Sequence, residues 1–157
     1  MFKKIKPYII ALLIPLAVGG LSAFLTKDNI SLYRDVVTPP LSPPSFLFPL
    51  VWTILYILMG VSSLMIYKAR SVSIKQRASA LSTYASSLII NFAWSIIFFN
   101  FRAFFLAFVW LVLLFYLIIR TILEYKEIEK RAAYLQIPYA VWVAFAGYLS
   151  FSIWLLN

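Results

Sequence analysis

The 157-residue chain is 64 % hydrophobic and only 12 % charged, carries a formal net charge of +9, and has neither histidine nor cysteine. This balance excludes an ordinary soluble domain. The two missing residue types remove the ligands of zinc, iron–sulfur and disulfide chemistry, and leave haem only a Met or Tyr as axial ligand.

A helix needs about 20 apolar residues to cross the hydrocarbon core, and five stretches meet that length. The first, about residues 5–25, follows Lys3, Lys4 and Lys6. A basic start before an apolar run also describes a signal peptide. This run exceeds the usual ~7–15 residues and lacks a small-x-small cleavage site, so the sequence predicts a retained helix, kinked at Pro15. Next comes "TPPLSPPSFLFPLVWTILYILMG", Thr38 to Gly60, with four prolines in six residues. Prolines hold a chain extended at low entropy, so residues 26–45 are expected to form a stiff outer lid. In the second span, residues 46–67, Trp52, Tyr56 and Met59 fall at i, i+4 and i+7 and share a face.

The third span, residues 80–99, places Asn91, Trp94 or Ser95, and Phe98 on one face. An amide is costly in lipid, so Asn91 is expected to face the interior and bond a neighbour or a ligand. Ser79, Thr83 and Ser87, with Ala78, Ser82 and Ser86 beside them, allow close helix approach. That pattern fits a homodimer seam or tight packing within one chain; the homodimer is the expectation. The fourth span, residues 103–123, carries Trp110, expected in the interfacial belt or facing lipid. The fifth, residues 133–156, puts Trp142, Ala146 and Leu149 on one face and Trp154 in the belt.

Five spans place the N-terminus, the second loop and the fourth loop on one side. Eleven of the 14 Lys and Arg residues lie there, against Lys27, Arg34 and Arg102 opposite. The basic side should be cytoplasmic, with the N-terminus inside and the C-terminus outside. The charge then serves topology and anionic lipid rather than nucleic acid. The acids Asp28, Asp35, Glu124, Glu127 and Glu129 all sit in loops or at helix ends, and no acid–base pair, phosphate loop or nucleophile elbow occurs. Span interiors without ionisable residues argue against an energy-coupled transporter.

At ~1.5 Å per residue, Trp52 and Asn91 lie roughly 9–12 Å deep and Trp142 somewhat deeper. The three faces are expected to meet in a chamber in the outer half of the bilayer, suited to flat, apolar ligands. The alternative is ordinary interfacial aromatics and structural bonding.

Three blocks in order, "TPPLSPPSFLFPLVWTILYILMG", "LIINFAWSIIFFNFR" and "IPYAVWVAFAGYLSFSIWLLN", resemble the tryptophan-rich sensory protein/translocator protein family, also called the peripheral benzodiazepine receptor family. The resemblance implies an all-α, five-helix transmembrane bundle, commonly dimeric, whose pocket lies under the first loop. It implies binding of porphyrins such as protoporphyrin, and of isoquinoline and benzodiazepine-type ligands, by a sensing or transport-aiding protein of the bacterial cytoplasmic membrane. Matched positions make Ala23, Tyr33, Trp52, Tyr56, Asn91, Trp94, Phe98, Phe99, Trp142, Ala146 and Leu149 the pocket candidates. Bacterial relatives are credited with light- and oxygen-dependent porphyrin breakdown, which makes Trp52 and Trp142 candidate catalytic residues. No metal or resident cofactor is expected, since a metal-free porphyrin needs no axial ligand. Lys27 or Arg34 is placed to meet a propionate at the mouth.

The chain departs from the family pattern in two places. Its lid reads Thr38-Pro39-Pro40-Leu41 where relatives carry Lys-Pro-Ser-Trp before the prolines, and an Asn common in the last span is Ser150. No basic residue follows Tyr148, so the sterol-recognition pattern of some animal members is absent.

Overall fold

A chain in hydrocarbon must close its backbone hydrogen bonds internally, as a helix or a closed barrel. The computed structural model describes residues 2–157, and they take the helical solution. Helix α1 spans Phe2–Thr26, a 3₁₀ turn Lys27–Asn29, α2 Leu32–Asp35, α3 Leu47–Lys68 and α4 Ile74–Ser95. A π-helical turn, Ile96–Asn100, continues α4 directly; α5 follows at Phe104–Lys126 and α6 at Lys130–Leu156. Five helices, α1, α3, α4 with its π turn, α5 and α6, are long and apolar enough to cross a membrane. The chain is an integral, multi-pass membrane protein. Its two ends are named below for what they carry, a basic end and a lid end.

Two helices start earlier than hydropathy suggests, because polar caps extend them. Ser73 accepts the Gln76 N–H at 3.1 Å and starts α4 at Ile74, while Glu129 accepts the Arg131 N–H at 3.4 Å and starts α6 at Lys130. Each cap satisfies an orphan N–H of a first turn.

The main packing pairs are α5 with α6, α1 with α3, α4 with α5, and α3 with α6. Leu111, Leu114 and Ile118 of α5 meet Val143 and Ile153 of α6 in a shared core, while Leu13, Leu21, Ile89 and Val112 face outward as a lipid-facing perimeter. Pro15, inside α1, has no N–H to offer the carbonyl four residues back. That carbonyl, of Ala11, points at Gly60 of α3, where a Cβ would lie 2.6 Å from its oxygen. Only hydrogen at Gly60 permits so close a crossing.

Neutral polar side chains face one another inside the bundle. Ser63 and the Tyr125 hydroxyl lie 2.9 Å apart, and Ser62 donates to the Ala132 carbonyl at 2.7 Å while accepting from Gln136 at 3.3 Å. Two sequence expectations change here. Thr83 and Ser87 do not form an outward seam: Thr83 donates to the Glu124 carboxylate of α5 at 2.9 Å, and Ser87 is buried and donates to the Tyr84 carbonyl at 2.7 Å. The small residues left exposed on α4 are Ala78, Ser79, Ser82, Ala85 and Ser86. Trp110 does not simply face lipid either, since its indole N–H donates to the Ile90 carbonyl of α4 at 2.9 Å.

Candidate ligand-binding site

The close crossing of α1 and α3 at Gly60 sets up a gap further along. Gly19 of α1 lies against the Tyr56 ring, which would collide with any Cβ there. Toward the lid end α1, α3, α4 and α6 enclose a cavity of about 340 Å³. This lies within the range of small-molecule sites, about 300–1,000 Å³.

Each wall follows from its local helix. Trp52 and Tyr56, one turn apart on α3, stack with centroids 5.5 Å apart and planes at 28°. On α4, Trp94 stacks on Phe98 at 5.3 Å, and Phe99 meets Phe98 edge-on at 4.9 Å. The π turn brings both phenylalanines to the wall: the Phe101 N–H reaches back five residues to the Ile96 carbonyl at 3.1 Å. Such turns insert one extra residue and recur at functional sites. Ala23 closes the α1 side, Ala146 and Leu149 the α6 side, and Tyr33 and Phe48 the lid side.

Nine of the eleven sequence candidates therefore line one cavity: Ala23, Tyr33, Trp52, Tyr56, Trp94, Phe98, Phe99, Ala146 and Leu149. Asn91 and Trp142 do not. Asn91 is buried beneath and donates to the Tyr139 hydroxyl at 3.0 Å, so of its two expected partners it takes the neighbour. Trp142 sits one ring behind the wall, 5.9 Å from the Phe48 centroid and 5.5 Å from Phe145. Its position on α6 is a turn too far from the lid: the α6 residues that reach the cavity begin at Ala146. Met59 is a fully buried core residue, and Trp154 packs on Phe105 at 4.7 Å near the helix ends. Residues without a sequence signal complete the wall, chiefly Leu16, Gly19, Gly20 and Ser22 of α1 and Ser150 of α6. The small residues 19, 22, 23 and 26 share one face of α1, and that periodicity was the available clue.

The lid is partly helical rather than extended throughout, since the 3₁₀ turn and α2 fill its first half and bury Leu32 completely. Side chains fasten it at several points. Tyr148 donates to the Pro40 carbonyl at 2.9 Å, and Tyr33 to the Pro43 carbonyl at 3.0 Å. Asn157 exchanges two hydrogen bonds with the Val37 backbone. Asn29 donates to Asn100 at 2.8 Å, and Asn100 to the Leu25 carbonyl at 3.1 Å. Leu41, at the tip, takes a left-handed conformation with φ 69°, uncommon for a residue with a side chain. The Lys27 ammonium lies 4.4 Å from the Phe24 ring centroid, and Arg34 is exposed; neither lines the cavity.

Electrostatically the cavity is neutral: none of its lining residues is ionisable apart from two tyrosines, Tyr33 and Tyr56. Three of its lining residues carry a buried polar atom, Ser22 Oγ, Trp94 Nε1 and Ser150 Oγ, that has no partner among the described residues. The arrangement suits holding an aromatic guest; it offers no general acid–base pair.

Residues 11–155 match the TspO/MBR family. The chain is 35 % identical to a tryptophan-rich protein TspO of Chlorobaculum tepidum, covering 100 % of this chain and 99 % of the relative. It is 34 % identical to a translocator protein of Bos taurus, over 90 % and 85 % respectively. A tryptophan-rich protein TspO of Archaeoglobus fulgidus is 33 % identical over 98 % of this chain and 99 % of its own length.

Proposed function

Because the chain belongs to the TspO/MBR family, we propose that its lid-end cavity binds flat, largely apolar ligands of the tetrapyrrole class, and that the protein senses them or aids their movement. Relatives carry the names translocator protein and tryptophan-rich sensory protein, and the fold is a bundle of five helices long and apolar enough to cross a membrane. The observation that carries the ligand class is the ring of aromatic side chains, Trp52, Tyr56, Trp94, Phe98 and Phe99, around one uncharged cavity. Aromatic faces of this kind hold a planar guest by stacking at little rotamer cost. A macrocycle would lie between the α3 and α4 aromatics, with its acidic edge toward the lid. The basic end is proposed to face the cytoplasm, following the charge bias. Self-association is proposed through the exposed Ala78, Ser82 and Ser86 face of α4.

A second reading is light- and oxygen-dependent breakdown of a bound porphyrin. The observation favouring it is Trp52, an oxidisable ring on the cavity wall and stacked on Tyr56. Titration of purified protein with protoporphyrin in darkness and in light separates the readings. Saturable tryptophan quenching with an unchanged Soret band supports binding. Light-dependent loss of the band that Trp52→Phe abolishes supports turnover. No quenching at all defeats both and leaves a cavity filled by lipid.

A further inference from the structure

We propose that guests enter and leave the cavity sideways, from the hydrocarbon of the lid-end leaflet, through a slot between α1 and α3. The lid is then a fixed roof rather than a gate. This route presupposes the ligand-binding reading above and adds how the site is reached.

Burial divides the cavity wall in two. On α4, its π turn and α6, every lining residue is buried or half-buried. The exposed ones flank the passage from α1 to α3: Gly20 and Ala23 on α1, Pro49 and Thr53 on α3, and Ile30 and Ser45 in the loop between them. A residue that both lines a cavity and is open to the outside marks an opening. The two helices are consecutive spans and run antiparallel, which sets these pairs opposite each other. They touch at Ala11 and Gly60, and again where Gly19 lies against the Tyr56 ring, and then part: a Cβ on Gly20 would meet nothing within 4 Å. Gly20 and Thr53 each lie six residues, about 9 Å, inside the lid end of their helices.

The slot opens onto lipid. Its borders carry Leu21 and Phe24 on α1 and Leu50 and Ile54 on α3, large apolar side chains exposed on spanning helices, a surface that acyl chains cover. The Thr53 hydroxyl on its α3 edge donates to the Pro49 carbonyl at 2.7 Å and is satisfied within its own helix. No hydrogen bond among the described residues joins residues 20–26 of α1 to residues 47–53 of α3.

Overhead the opposite holds. The lid is tied to α6 through Tyr148 and Asn157 and to the π turn through Asn29, and Leu32 is wholly buried beneath it. Lifting it would break these bonds together and uncover Leu32, whereas the slot needs no bond broken. An apolar guest dissolved in the membrane reaches the aromatic wall through the slot without crossing water.

The chain has no cysteine, so a nitroxide attached to Thr53→Cys reports from one place. In nanodiscs it is expected to collide more with dissolved oxygen than with a water-soluble nickel chelate; the reverse would open the slot to water and overturn the route. Passage is timed by stopped-flow quenching of tryptophan, with protoporphyrin and protein in the same detergent so that micelle partitioning is common to all variants. Gly20→Phe and Thr53→Phe narrow the slot from opposite edges. Each is expected to slow association and dissociation alike, by about fivefold or more, because a blocked passage hinders both directions. The double variant Tyr148→Phe/Asn157→Ala loosens the lid and is expected to leave both rates within about twofold. If both slot variants associate as fast as the unaltered protein, or the loosened lid speeds association by about fivefold, guests pass under the lid and the route is overturned with the cavity reading intact. If protoporphyrin never quenches the unaltered protein, the cavity reading fails and the route falls with it.

Discussion

The Asn157 side chain brackets Val37. Its Oδ1 accepts the Val37 N–H at 3.1 Å while its Nδ2 donates to the Val37 carbonyl at 3.0 Å. The amide thus serves the lid backbone as a neighbouring strand would, and ties the end of α6 to the loop over the cavity. Exposed hydrogen bonds of this kind are each worth about 0.5–1.5 kcal/mol net.

Asn157→Ala is therefore expected to raise amide hydrogen exchange around Val37 by about tenfold, with little change in global thermal stability. Exchange measured across residues 32–41 checks this. An unchanged rate would mean that burial of Leu32, not the bracket, holds the lid.

Gly60, at the α1–α3 crossing, is expected to tolerate nothing larger, unlike Gly20 of α1. A Cβ on Gly60 meets the Ala11 carbonyl oxygen at 2.6 Å, a backbone atom that cannot swing away, whereas one on Gly20 meets nothing within 4 Å. Gly60→Ala should destabilise the bundle by about 1–3 kcal/mol, and Gly20→Ala should be neutral or mildly stabilising. Unfolding in graded denaturing detergent compares them, and equal stabilities would contradict the crossing described.

Asn91 and Tyr139 are expected to behave as one structural unit. Removing either partner, by Asn91→Leu or Tyr139→Phe, leaves a buried polar group unpaired and should cost about 0.5–2 kcal/mol. The double variant should cost less than the two single losses added together. Simple additivity would show that the 3.0 Å bond contributes nothing.

Trp52 and Trp142 are expected to part company in binding. Trp52 lines the cavity, and Trp142 stands behind Phe48. Trp52→Phe should weaken protoporphyrin by about fivefold, the value of one aromatic contact, and Trp142→Phe by less than about twofold. Dark titrations of both variants decide it. Equal losses would put Trp142 in contact with ligand.

The helix count and the aromatic faces of α3 and α4 were legible because composition fixes spans and a period of 3.6 fixes faces. What such a face meets was not legible. In a membrane both lipid and bundle interior are apolar, so hydrophobic periodicity cannot tell them apart. That is why Thr83 and Ser87 read as an outward seam and lie instead against α5 and within α4. Trp142 shares a helix face with Ala146 and Leu149, yet only the neighbouring helices decide how far down that face the cavity reaches. Apart from Ala23, the α1 wall offered only the spacing of its small residues, since Gly19, Gly20 and Ser22 contribute by being small. Nor does the apolar run Ile96–Phe99 announce that its helix widens there.

That widening reaches beyond the aromatic wall. One surplus residue in a helix rotates everything downstream by about 100° around the axis. Asn100, the last residue of the turn, thereby faces Leu25 and Asn29, to which it bonds. Rewinding 96–100 as a regular α-helix of the same length would turn this amide by roughly 90° and swing it away from the first loop. Shape of the chamber and closure of its cover thus hang on the same local irregularity, so neither can be retuned by rewinding this turn without altering the other.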